Sequence, residues 1–250
     1  MEIARAAAGL FVSRGLKATR AEDIALAAGI APRTFYRYFA TKEEAVAPLY
    51  AAGAQRWAEA VREAPAELTV PEALEHAVRY TLVPGRGVSA ASWEWVRTLI
   101  RLAGTSPALG KVWAEVCHTS EATLAQVLTE RTAASSRTPA SESTAESTSG
   151  STAESTAQNP SGSTAEAISD VVSGAAADAT SAPTPAPDNV ASPYQRFTAA
   201  VAGAAVRVAV ESWAVTDSPP TGRQGPAELA LRNLRALRGF AWEEIPTEEP

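Results

Sequence analysis

The chain holds one cysteine, Cys117, in 250 residues. A single thiol excludes an intrachain disulfide and any CxxC metal or redox site. Histidine is almost as scarce: His76 and His118 are the only two. Neither has a partner at metal-ligand spacing, so no metal and no cofactor are expected. No run of eighteen apolar residues occurs, which predicts no membrane-spanning helix and no membrane partner. The opening "MEIARAAAGLF" has no basic segment followed by an apolar stretch and a cleavage site, so no secretory signal is expected. These absences together fit a reducing cytoplasm. Sustained period-two alternation is missing too, and β-branched runs are short, which points to an all-helical protein. There is no HExxH, no glycine-rich phosphate loop, no GxSxG and no Cys/His cluster, so the sequence offers an enzyme reading no support.

Aromatic residues make up 6% of the chain and the formal net charge is −6. Against that background one stretch stands out. "APRTFYRYFATKEEA", residues 31–45, packs three basic and four aromatic residues into fifteen positions. Residues 1–42 carry seven Arg/Lys against three acids, a local charge of +4, which leaves −10 for the remainder. For a nucleic-acid partner it is the location of charge that matters, not its sum.

Three compositional regimes follow one another. Residues 1 to about 131 are rich in Ala, Leu, Val, Trp and charges at helical spacing. Residues 132–192 contain repeats of Ser-Thr-Ala-Glu at 143–146, 151–154 and 163–166, and close on "PTPAP". Such a segment cannot bury enough apolar surface to offset its conformational entropy, so it reads as a disordered low-complexity insert, with at most a helical turn near 165–177. It is either a passive loop expansion or a tether that recruits partners. From Tyr194 the helical pattern resumes, with a break at "DSPPTGRQGP".

Within the first 45 residues, Ile3, Ala7, Leu10 and Phe11 give a first helix one buried stripe. Gly15 suits its C-terminal end. "TRAE", Thr19–Glu22, matches a capping box that would start a second helix, with Ile24 and Ala28 turned inward. Gly29 suits a left-handed turn residue and Pro32 the first turn of a third helix. Helix, short glycine turn, helix is the layout of a helix-turn-helix, here about residues 20–39. On the third helix Phe35 and Phe39 share the inward face. Arg33 and Arg37 occupy the opposite side, with Thr34 beside them and Tyr36 and Tyr38 flanking. Arginine can bond guanine bidentately, while Thr and Tyr can bond phosphates or touch thymine methyls. Lys42, just beyond, is placed to add a phosphate contact. The competing reading is an ordinary amphipathic helix with a solvated basic face.

"TRAEDIALAAGIAPRTFYRYFATKEEAV" resembles the N-terminal DNA-binding domain of the tetracycline-repressor (TetR) family over about 45 residues. The matching positions are Thr19, Ile24, Ala25, Ala28, Gly29, Ile30, Thr34, Phe35, Tyr36, Tyr38, Phe39, Thr41, Lys42 and Glu43. The resemblance implies an all-α fold: a three-helix, homeodomain-like helix-turn-helix domain (residues 1–45), a linker helix (about 43–62), and a helical ligand-binding and dimerisation domain (63–250). It implies a homodimer that binds a palindromic double-stranded operator and is released by a small-molecule effector. By position, Thr19, Arg20, Thr34, Tyr36, Tyr38 and Lys42 would contact DNA, and Arg33 and Arg37 would choose bases. The alternative is an activator, or a regulator acting through protein partners of the 132–192 segment. That segment, and the absence of a basic arm before the first helix, depart from the family pattern.

The rest of the chain says less. Helices are expected over Glu43–Arg62, Pro71–Leu82, Ala90–Ala103 and Pro107–Arg131, and again over Pro226–Gly239. Trp93, Trp95, Trp113 and Val116, with Cys117 and His118, are candidates to line a ligand cavity; the alternative is that they simply fill the core. Phe197, Val201, Ala204, Val208 and Val215 form a stripe on one helix, and Leu229, Leu231, Leu234 and Leu237 mark the next. Two such helices per subunit would make a four-helix dimer interface with two-fold symmetry.

Overall fold

The computed structural model of the chain describes residues 1–85, 90–137 and 190–242. Among these residues every regular element is helical: α1 (Glu2–Arg14), α2 (Ala21–Ala27), α3 (Pro32–Tyr38), α4 (Ala47–Arg62), α5 (Val70–Thr81), α6 (Ala90–Thr105), α7 (Pro107–Arg137), α8 (Pro193–Ala214) and α9 (Pro226–Ala236). The sequence reading of an insert at 132–192 lies, for 138–189, outside the described residues, as does the suggested turn near 165–177. Helix α7 runs six residues past the expected Arg131.

Local signals set most helix starts. Ser192 and Gln195 form a reciprocal cap at α8: the Gln195 N–H donates to Ser192 Oγ at 3.2 Å, and the Ser192 N–H to Gln195 Oε1 at 2.7 Å. Thr69 and Glu72 start α5 similarly, with the Thr69 N–H on the Glu72 carboxylate at 3.0 Å. Two expectations are corrected. The box at α2 is displaced by one residue: Arg20 is the N-cap, and its N–H donates to the Asp23 carboxylate at 2.9 Å. The linker helix does not begin at Glu43. Residues Glu44–Val46 form a 3₁₀ turn, and the α-helix proper starts at Ala47, where Pro48 occupies the first turn and needs no N–H partner.

Two main cores divide the molecule. In the first, Ala7, Ala8 and Phe11 of α1 meet Ile24 and Ala25 of α2 and Phe35 of α3. This core is continuous with Tyr50 of α4, Leu99 of α6 and Val112 of α7, so the three N-terminal helices are seated on the larger bundle. Tyr50 fixes that seat: its hydroxyl donates to the Leu99 carbonyl at 2.9 Å, and its ring meets Trp113 edge-on at 5.0 Å. At the same junction α1 comes so close to α6 that a Cβ on Gly9 would lie 3.2 Å from Trp95 Cη2.

The second core joins α4, α5, α7, α8 and α9 through Val61, Leu74, Val78, Leu124, Leu128 and Leu231. Helix α7 packs against α4, α6 and α8, which is why its apolar residues do not fall on a single stripe. Two arginines one turn apart on α6 hold the end of α8. Arg97 lies over the Trp213 ring at 4.4 Å and donates to the Ser218 carbonyl. Arg101 donates to the carbonyls of Ala214 and Thr216 and pairs with Asp217 at 2.8 Å. Cations at the carbonyl end of a helix complement its dipole.

Candidate nucleic-acid interface

The turn between α2 and α3 is tight because its carbonyls and N–H groups are used. The Ile30 N–H donates to the Ala25 carbonyl at 2.9 Å, and the Gly29 N–H to Leu26 at 3.1 Å. Gly29 has φ 67°, a left-handed conformation that the turn requires and that side chains disfavour. Pro32 sits in the first turn of α3, where no N–H partner is lost.

That turn aims α3. Phe35 is fully buried against α1 and α2. Phe39 is only half-buried, because the helix ends at Tyr38 and Phe39 turns into extended backbone. Its ring still meets Phe35 at 5.5 Å. The opposite side of α3 is exposed at Arg33, Tyr36, Arg37 and Tyr38, with Thr34 half-buried beside them. Arg33 has no hydrogen-bond or ion-pair partner among the described residues. Arg37 lies 5.1 Å from the centre of the Tyr38 ring and donates to its hydroxyl at 3.3 Å, which holds the guanidinium along the helix. The Tyr36 hydroxyl donates to Glu22 at 3.4 Å, and Arg20 pairs with the same carboxylate at 3.5 Å. Glu22 thus ties the start of α2 to the exposed face of α3, a role its place in "TRAE" did not reveal.

Two residues of the sequence-derived contact set point inward. Thr19 is 1% exposed, and its hydroxyl donates to the carbonyls of Gly15 at 2.9 Å and Leu10 at 3.3 Å. Lys42 donates from Nζ to the carbonyls of Leu16 at 2.7 Å and Thr19 at 2.8 Å. Both brace the α1–α2 loop. The exposed basic set is therefore Arg20, Arg33 and Arg37, with Tyr36, Tyr38 and Thr34 among them.

The rings proposed for a ligand cavity do not gather around one. Trp93 is buried edge-on against Trp213 at 5.3 Å. Trp95 faces Gly9 at the α1–α6 junction, while Trp113 donates from Nε1 to Glu211 at 2.6 Å. Cys117 is half-buried; burial is the main cause pushing its thiol up to about 11, so it stays protonated. His118 is on the surface near Glu121 at 3.8 Å. They lie on two successive helices, α6 and α7, which turn these side chains toward different neighbours.

The stripe on α8 is exposed where it was read as an interface. Phe197, Val208 and Val215 are 55%, 45% and 74% exposed, and Val201 and Ala204 between them are half-buried. The other side of α8, through Ala199, Ala202, Ala209 and Trp213, is buried in the bundle.

Residues 3–47 match the sequence model of the bacterial regulatory proteins, tetR family. No curated protein matches the chain. Three solved structures are similar in outline. FadR of Thermus thermophilus, a TetR family transcriptional repressor in complex with lauroyl-CoA, aligns at 20% identity and a TM-score of 0.49, covering 100% of this chain and 98% of that one. A putative TetR-family regulator from Mesorhizobium loti aligns at 15% identity and 0.44, covering 95% and 94%. PfmR, a TetR family transcriptional regulator also from Thermus thermophilus, aligns at 19% identity and 0.40, covering 96% and 98%. The N-terminal helices, residues 3–47, thus carry the sequence pattern of the bacterial regulatory proteins, tetR family.

Proposed function

We propose that the chain is a transcriptional repressor that binds a palindromic operator as a homodimer and leaves it when a small molecule binds the helical bundle. One observation carries this reading: the tetR-type domain exposes Arg33, Tyr36, Arg37 and Tyr38 on the side of α3 opposite its buried Phe35. Arg33 and Arg37 read base edges in the major groove. Thr34, Tyr36, Tyr38 and Arg20 hold the phosphates on either side. Thr19 and Lys42 act from behind, by fixing the loop that leads into α2. The local charge of +4 over residues 1–42 draws the polyanion to this end of an otherwise acidic chain. Residues 1–45 form the DNA-binding unit and residues 63–250 the effector and dimerisation unit, with α4 between them. The site of action is the cytoplasm, where the DNA is.

The homodimer rests on the exposed apolar side of α8. Phe197, Val201, Ala204 and Val208 recur every three or four residues along α8, and Val215 follows seven residues later at its C-cap. A second copy meeting this side across a two-fold axis would cover the stripe and set two α3 helices for half-sites about one DNA turn, 34–36 Å, apart.

Selection of bound DNA from a random pool tests the whole reading. A palindrome is expected, with affinity falling steeply as salt rises. Enrichment of no sequence at all, or of a single asymmetric half-site, would contradict it.

A further inference from the structure

A cavity of about 220 Å³ lies between the N-terminus of α5, the C-terminal half of α7 and the first turns of α8. Val70 and Leu128 form its apolar wall, and Tyr194 and Trp242 bring two rings to it. Val70 and Leu128 belong to the second core, the one the three N-terminal helices do not share. Trp242 is held over the site by a chain of rings: it meets Phe240 at 4.9 Å, which meets Phe197 at 5.6 Å, which meets Tyr194 at 6.3 Å. The Tyr194 hydroxyl donates to the Ala241 carbonyl, tying the same segment down.

Most hydroxyl and amide groups of the wall are paired. Thr132 donates to the carbonyls of Leu128 and Thr129. The Gln195 carbonyl oxygen accepts from the Thr129 hydroxyl at 2.8 Å and from the Ser192 N–H at 2.7 Å. Thr198 is different. It is 1% exposed, it lines the cavity, and its Oγ1 has no hydrogen-bond partner among the described residues. A buried hydroxyl is normally paired, so an unpaired one at a cavity wall marks a place where a guest atom completes the bonding. Among the described residues no charged side chain lines the cavity. A carboxylate or an amine would meet no counter-ion among these residues, which disfavours a charged guest.

From this we infer that the cavity is a binding site for a small uncharged molecule, mostly apolar, with one hydroxyl or carbonyl oxygen that pairs with Thr198. Size sets an upper limit. A dry cavity of about 150 Å³ admits benzene, so this one has room for a single substituted ring. A para-substituted phenol fits the description: ring and alkyl group against Val70, Leu128 and Trp242, hydroxyl on Thr198. Taking this as the site of the effector rests on the repressor reading above; the binding itself does not.

Titration calorimetry on the full chain without DNA tests the site, using 4-ethylphenol, 4-ethyltoluene and 4-ethylbenzoate. Saturable binding of 4-ethylphenol is expected, with the anionic benzoate at least tenfold weaker. Thr198→Val keeps the shape and removes the hydroxyl; it is expected to weaken 4-ethylphenol about tenfold and leave 4-ethyltoluene unchanged. Trp242→Ala is expected to weaken both neutral probes. No saturable binding of any probe, equal binding of the anion, or a Thr198→Val variant that folds normally and binds 4-ethylphenol as tightly as the parent would overturn the site. Operator affinity is then measured with and without saturating 4-ethylphenol. A fall supports the site as the point of release. Calorimetric binding with unchanged operator affinity upholds the site and overturns only its use as the effector site.

Discussion

Lys42 donates from Nζ to the backbone carbonyl of Thr19 at 2.8 Å, across 23 residues of sequence. Both residues match the motif by which the domain is recognised, yet they bond each other and face inward. Lys42 also reaches Leu16, so one ammonium closes the α1–α2 loop on the segment that follows α3. Replacing it with Met should cost about 1–3 kcal/mol of stability, the usual value of charge-assisted hydrogen bonds in a partly buried place. Urea denaturation measures that loss. The salt dependence of operator binding separates bracing from contact: an unchanged slope supports bracing, whereas a slope reduced by about one marks a phosphate contact.

Arg37 differs in being exposed, with its guanidinium against the Tyr38 ring. Arg37→Ala should lose about 1–3 kcal/mol on the operator and relax the base preference at one position in each half-site. Thermal stability should change little, since the residue supports no buried group. Operator affinity equal to the parent's would remove Arg37 from the reading face.

Val208 sits in the middle of the exposed stripe on α8 and is 45% exposed. Val208→Arg should leave the protomer folded and disrupt the proposed dimer, because it places a charge in the apolar stripe that a second copy would cover. Sedimentation velocity is expected to show a monomer. A variant that still sediments as a dimer would place the interface elsewhere.

Gly9 faces Trp95 where α1 crosses α6, with room for no more than a Cβ at 3.2 Å. Gly9→Leu should push the indole aside and cost about 1–3 kcal/mol, the usual range for overpacking. Near-ultraviolet circular dichroism should report the displaced Trp95, while far-ultraviolet helicity stays close to the parent's.

Burial, with a smaller contribution from Cys117, raises the Tyr50 phenol above its usual 10.0. The phenol is neutral in both states at pH 7. Above pH 10 the unfolded chain ionises it and the folded chain does not, so stability is held below that pH and lost as pH rises past it. Cys117, raised to about 11, adds the same trend from about pH 9. Denaturation midpoints between pH 8 and 11 should fall less steeply in Tyr50→Phe, whose starting stability is lower because the Leu99 carbonyl loses its donor. An identical alkaline slope in the two proteins would discount Tyr50 as the source.

The sequence by itself determined what depends on neighbours along the chain. The positions of α1, α2 and α3 follow from apolar spacing, from Gly29 and from Pro32. The division of α3 into a buried Phe35 side and an exposed arginine side follows from its period alone. The exposed stripe on α8 was legible for the same reason, since an apolar face of that spacing has to be covered by something.

Only the tertiary structure decided which partner each polar group takes. The resemblance implies DNA contacts at Thr19 and Lys42, and no local pattern shows that Lys42 bonds a carbonyl 23 residues away. The acids of "TRAED" were divided by geometry: Asp23 went to the cap, while Glu22 went to Arg20 and Tyr36. Trp93, Trp95 and Trp113 lie close in sequence or on adjacent helices, but the crossing of α6 with α1, α7 and α8 sends each to a different neighbour. The cavity beside Thr198 is drawn from residues spread from Val70 to Trp242. No local pattern marks such a place, because the space left between helices depends on how they pack rather than on which residues form them.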